Sequence, residues 1–227
     1  MKQPGNSRIT LALAVLAGLI YSSWPIGYIV NPKVAAHGLA SELAGAHQPY
    51  AWIFVYGDVA VGLLMLLIAA RLWQQLKPSR QQKGLVFIIL NVGGFGLATI
   101  IDALLPLSCS MSTQICPDAL HDPLLLTHAL FTVIASNCLL VVSALLWNRT
   151  RTSRYLLALL VGYLLTSLVT VIYIAFNNED NLPQHLLLSV CSLLLISYPY
   201  AITKTAEITA QKSRRPKARM AKSHQDV

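Results

Sequence analysis

Carboxylates and imidazoles recur at a few particular points of this chain. Ser41, Glu42 and His47 lie in a polar stretch, Asp58 lies inside an apolar run, and Asp102 and His128 stand near the edges of two others. Brought together, such groups can hold a metal ion, move a proton or bind a polar head group. Local spacing supports none of the standard metal motifs, because the chain has no HExxH, no CxxC and no HxxxH. His121 and His128 are seven residues apart with Pro123 between them. A divalent ion such as zinc on Asp58, Asp102 and His128 would therefore need tertiary convergence. There is also no glycine-rich phosphate loop.

The elements that position these residues are apolar. Of 227 residues 55% are hydrophobic and 11% charged, too few charges for a soluble domain. The apolar residues fall into six blocks, at about 9–30, 50–73, 85–105, 124–147, 155–176 and 185–202. Each approaches the roughly 20 residues that span a bilayer. The expected fold is all-α, a polytopic bundle of six transmembrane helices over 1–204, because helices satisfy their own backbone groups in hydrocarbon. The first block follows Lys2 and Arg8 as a signal peptide would, but no small-x-small site ends it, so it is expected to stay as a helix, kinked at Pro25.

Of the 17 Lys and Arg residues, all but Lys33 lie before block one, at the end of block two (Arg71) or between blocks two and three, between four and five, or after six. These segments alternate, so the positive-inside rule puts both termini in the cytoplasm of a cell (inner) membrane protein. The net charge of +8 is thereby a topology signal. The basic segment 205–227 is polar enough to be a disordered cytoplasmic tail, and membrane lipids are its expected neighbours. It lacks the interleaved aromatics of a nucleic-acid binder, so no nucleic acid is expected.

In this topology Asp58 lies eight residues below Tyr50, roughly 12 Å down its helix at 1.5 Å per residue. A carboxylate at that depth is costly unless it faces a partner, water or a ligand. Asn91, Gly94, Ala98 and Asp102 share one face of the third block; His128, Thr132, Ser136 and Ser143 share one of the fourth. Tyr163, Thr166, Thr170 and Tyr173 line the fifth, and Ala14, Gly18, Ser22 and Pro25 the first. Hydroxyl and small residues also line ordinary helix contacts in membranes, which is the competing account of these stripes. Likewise His37, His47, His121 and His185 fall at or near outer loops, where simple solvation competes with function. Cys109 and Cys116 lie in one outer loop; on an oxidising side they are expected to form a disulfide, with free thiols or metal ligation as the alternative. Cys138 and Cys191 fall inside helices, as small packing residues.

SELAGAHQPYAWIFVYGDVAVGLL, IIDALLPLSCSMSTQIC and THALFTVIAS together resemble DUF998, a bacterial and archaeal membrane family of unknown function. The shared positions are Ser41, Glu42, Leu43, Gln48, Pro49, Asp58, Gly62, Asp102, Cys109, Cys116, His128 and Ser136. The chain departs where some members place a second histidine just before His128, and at Gln184–His185, where some carry Gln-Arg. A looser similarity is to the alkaline ceramidases, seven-helix membrane hydrolases with Ser, Asp and His around a metal. Their paired-histidine motif is missing here.

Two functions are then in view. One is an outward-facing polar pocket for a lipid or small polar ligand, built from Ser41, Glu42, Asp58, Asp102, His128 and Ser136. The other is a membrane-embedded metal-dependent hydrolase using Glu42, Asp58, Asp102 and His128 as ligands or acid–base groups. A proton-coupled transporter ranks third, because only Asn91 and Ser143 carry polarity into the inner half and no internal repeat is evident. Substrate and oligomeric state are not encoded in any motif.

Overall fold

The computed structural model describes residues 4–78, 82–105, 107, 122–150, 153–176 and 181–223, with the backbone alone for 4–7 and 210–223. These residues are helical or in turns, and none is in a strand. In chain order the helices are α1 (Pro4–Tyr21), α2 (Trp24–Val30), α3 (Pro32–His37), α4 (Ala51–Leu76), α5 (Lys83–Ala103), α6 (Pro123–Thr150), α7 (Arg154–Ala175) and α8 (Leu182–Ser223), with a 3₁₀ turn at Ala40–Ala44. Among the described residues six stretches are long and apolar enough to cross a membrane: Arg8–Val30, α4, α5, α6, α7 and the first part of α8, Leu182–Thr209. The last turns of α8 run over the basic segment that composition marks as tail.

The first span is two helices rather than one kinked at Pro25. The break falls at Ser22–Ser23, and Pro25 sits in the first turn of α2, where its missing N–H costs no hydrogen bond. Elsewhere polar residues set the helix starts. Asp122 accepts the Leu124 N–H at 2.9 Å before α6, and the Ser153 hydroxyl accepts from Leu156 at 3.4 Å before α7.

The helices α1, α4, α5, α6 and α7 stand around α8, which touches every one of them. Its buried face, Leu194, Leu195 and Tyr198, meets Ile68 and Leu72 of α4, Ile88 and Phe95 of α5, and Leu139 and Leu146 of α6 in one continuous core. The Ser192 hydroxyl donates to that of Ser22 at 3.0 Å, so the small stripe on α1 is a packing face against α8. Tyr198 is sealed, with its hydroxyl 2.9 Å from Ser143 Oγ and 2.9 Å from the Leu139 carbonyl. Tyr198→Phe should cost about 1–2 kcal/mol of stability, because Ser143 keeps its bond to Leu139 but loses this partner. Thermal unfolding of the purified protein checks it; an unchanged midpoint would remove Tyr198 from the account of what joins α6 to α8.

Between α4 and α5 the backbones themselves meet. A Cβ on Gly62 would lie 2.5 Å from the Gly96 carbonyl oxygen, and one on Gly96 would lie 2.6 Å from the Gly62 oxygen. The two glycines let the helices close to main-chain contact, as small residues do between membrane helices.

At one end of the bundle residues 31–50 fold back as a cap. Asn31 donates to Gln48 at 2.8 Å, the Ala40 N–H donates to Gln184 at 2.7 Å, and the Ala46 N–H donates to the Leu107 carbonyl at 2.8 Å. The chain then turns into α4 through His47 and Tyr50, both with left-handed backbone (φ 70° and 59°). The opposite end carries Gln75, which donates to Thr10 at 3.0 Å, and Arg149, packed over Gly84.

Candidate functional site

Asp102 is one residue from the end of α5, and His128 lies in the second turn of α6, so the antiparallel pair brings them together beneath the cap end. His128 Nδ1 is 3.3 Å from Asp102 Oδ1, 3.1 Å from the Asp102 carbonyl and 3.0 Å from the Leu105 carbonyl. All three oxygens accept only, once the carboxylate is ionised, so Nδ1 carries the hydrogen. The other nitrogen, Nε2, then presents a lone pair whenever the ring is neutral. Thr132, one turn beyond His128, donates to Asp102 Oδ1 at 2.8 Å. The pair is sheltered, with side chains 11% exposed for His128 and 22% for Asp102, whereas Thr132 is exposed. A histidine whose ring is held by a carboxylate and two carbonyls has one orientation and one tautomer, which suits it to accept a proton or a bond at Nε2.

Asp58 lies on the buried stripe of α4 with Phe54, Val61, Gly62 and Met65. It lies within electrostatic reach of Asp102. Tyr21, at the end of α1, sets its ring edge-on to Phe95 at 5.8 Å and lies in the field of both carboxylates. The half-buried Asp58 makes no hydrogen bond among the described residues. Also among the described residues, no three of His, Cys, Asp and Glu converge as a metal site requires.

A match to a family model covers residues 14–202, from α1 to the basic end of α8. The family is DUF998, described as a protein of unknown function. This chain belongs to DUF998. No curated protein and no solved structure matches it. As a DUF998 protein it carries an Asp-x-x-x-Gly pattern, here Asp58 and Gly62, whose parts have separate physical jobs. Gly62 closes α4 onto α5, and that closeness puts Asp58, one turn away, opposite Asp102.

Other expected members of the pocket go elsewhere. Glu42 is 2% exposed inside the 3₁₀ turn, where its carboxylate accepts the Leu39 N–H at 3.3 Å and ties the cap together. Ser41 is half-buried in the same turn. Ser136 offers its backbone carbonyl, which accepts the Tyr163 hydroxyl at 2.8 Å and joins α6 to α7. Thr166 and Thr170 return their hydroxyls to their own helix, at the Gly162 and Thr166 carbonyls, as ordinary packing residues do. His37 and His47 are exposed, and His121, Cys109 and Cys116 lie outside the described residues. Cys138 and Cys191 are free thiols.

His185 is not a solvated loop residue. It is 2% exposed, stacked on Trp24 at 4.3 Å, with Tyr28 edge-on at 5.6 Å. Asn181 Nδ2 contacts both His185 Nε2, at 3.4 Å, and the Gly38 carbonyl, and thereby fastens the cap to α8. Sequence reasoning passed over Asn181, Trp24 and Tyr28 as cap partners, and it held Thr132 only as part of a stripe. For Thr132 a signal existed, the four-residue step from His128. For Asn181, far from the cap in the chain, there was none.

Proposed function

We propose that this protein lies in the cell membrane with both termini in the cytoplasm and holds a lipid or small polar ligand by its head group in the chamber beneath the cap. The charge asymmetry of the loops supports the orientation. The observation that carries the ligand is Asp58, an interior carboxylate with no hydrogen-bond partner among the described residues, facing the Asp102–His128–Thr132 set. An acceptor at that depth is stabilised by a donor, so the ligand class is one whose head group brings an amine or hydroxyl.

A side opening supports an amphiphile. On α6 the side that is half-buried at Leu140 and buried at Ser143 is open at Ala129 and Thr132, about two to four turns nearer the cap. There α7 shows Val171 at 62% and Ile174 at 48% exposure. Acyl chains in such an opening would leave the head group beside Asp102. Asp58→Asn keeps the shape and removes the charge, so lipid or ligand co-purifying with the protein should fall several-fold by mass spectrometry. Undiminished co-purification at unchanged stability would end this reading.

The second reading is a metal-dependent hydrolase. What favours it is the oriented His128, whose Nε2 is left to a ligand or a reacting group. Elemental analysis separates the two: a stoichiometric transition metal lost in His128→Ala supports the hydrolase, and a metal-free protein retaining bound lipid supports the binder.

A further inference from the structure

The outward faces of the spans are aliphatic or aromatic in their middle portions, as a surface against hydrocarbon should be. Exposed there are Val15, Leu16 and Leu19 on α1, Leu63 and Leu67 on α4, Leu90 and Leu97 on α5, and Leu164, Leu165 and Leu168 on α7. Among the described residues two exposed side chains in mid-span break this rule, and both are on α6. Thr132 is one, and its hydroxyl is committed to Asp102. The other is Asn137, at the midpoint of the helix and half a turn round from His128, on the face opposite the core.

Asn137 returns one N–H to the Val133 carbonyl at 2.8 Å. Its second N–H and its carbonyl oxygen have no partner among the described residues. Left in hydrocarbon, an amide in that state is costly. The exposed residues around it are spaced for a helix partner: Leu126, Leu130, Val133 and Asn137 follow steps of four, three and four. That is the seam of a helix pair, and one asparagine within such a seam selects register and a two-stranded state.

We propose that a second copy of this chain covers this face, with α6 against α6 and a two-fold axis passing beside Asn137. Two copies inserted in the same orientation are related by an axis along the membrane normal, so the residue nearest that axis meets itself. A carboxamide is its own complement, since the N–H of each copy donates to the oxygen of the other. The exposed mid-span face of α7 is apolar, with nothing to favour a protein partner over lipid, and Asn91 on α5, which also returns an N–H to its own helix, is half-buried. The seam lies on the side of α6 away from His128, the partner of Asp102.

The test is self-association in lipid vesicles, read as energy transfer between copies carrying donor or acceptor fluorescent proteins at the C-terminus, over a series of protein-to-lipid ratios. The intact chain should associate with a two-state dimer isotherm. Asn137→Leu should weaken that about tenfold, and Asn137→Gln should restore part of the loss. Val133→Trp, which widens the seam without touching the amide, should also weaken it, while Leu165→Trp on α7 should not. A monomer at every ratio would overturn the proposal, and so would an Asn137→Leu chain that pairs as tightly as the parent. Equal loss in the Leu165→Trp control would overturn it too, by pointing to another face.

Discussion

Gly96→Val should leave little or no folded protein after extraction, the largest effect expected of any single change in this chain. The new Cβ would stand 2.6 Å from the Gly62 carbonyl oxygen and 3.1 Å from both the Leu66 nitrogen and the Met65 Cβ. Two of these three are backbone atoms of a packed helix, which cannot swing aside as the tip of a side chain can. The helices must separate, and with them goes the core contact of Met65 and Phe95. Overpacking a core costs about 1–3 kcal/mol where side chains can adjust, so a clash against main chain belongs at or above the top of that range. Size-exclusion profiles and the thermal midpoint are the readouts. Gly96→Ala should sit between the parent and valine, and a Gly96→Val protein as stable as the parent would refute the close approach. Wherever Gly96→Ala folds, Asp58 and Asp102 should be further apart, and ligand retention should fall more than stability does.

Asn181→Ala should release the cap. The side chain of Asn181, itself 6% exposed, serves both the Gly38 carbonyl and His185 Nε2, while its backbone N–H donates to the Ala36 carbonyl at 3.3 Å. Alanine keeps the last of these and strands two buried acceptors. Losing their donor should cost about 2–4 kcal/mol, since each stranded group forfeits its full desolvation. The bonds then left to the cap are the backbone N–H of residue 181 to Ala36, Ala40 to Gln184 and Ala46 to Leu107. Hydrogen exchange across 31–50 should accelerate by orders of magnitude while α4 and α5 stay protected. Uniform acceleration, or none, would show that the cap is not fastened at this point. In the proposed ligand-binding reading, a released cap should also speed the loss of any bound ligand.

Both expectations concern how polar side chains are held between apolar helices. Asp102 is expensive at that depth and is kept by three things at once: the Thr132 hydroxyl, the His128 ring and its place near the helix end. Asp58 has neighbours that repel or merely surround it. In the proposed reading Asp102 has a structural role and Asp58 a binding one, which makes Asp58→Asn the more informative substitution for function.

The amino-acid sequence alone determined the class of molecule. Six apolar blocks and a basic count confined to alternate connections follow from hydrocarbon length and charge placement, which are local properties, and the helices able to cross a membrane lie where those blocks are. It also marked Asp58, Asp102 and His128, because an ionisable group in an apolar run is conspicuous without any fold. Only the tertiary structure decided which of them meet. The Asp102–His128–Thr132 contact depends on how α5 and α6 rotate against each other, and the position of Asp58 depends on two glycines 34 residues apart touching backbone to backbone. Glu42 was assigned to the chamber from its charge and its neighbours, yet its carboxylate binds the cap, since folding the cap set its direction and sequence order did not. Asn137 was legible as a letter and invisible as a feature, because whether an amide points to core or to lipid is known only once the bundle has a centre.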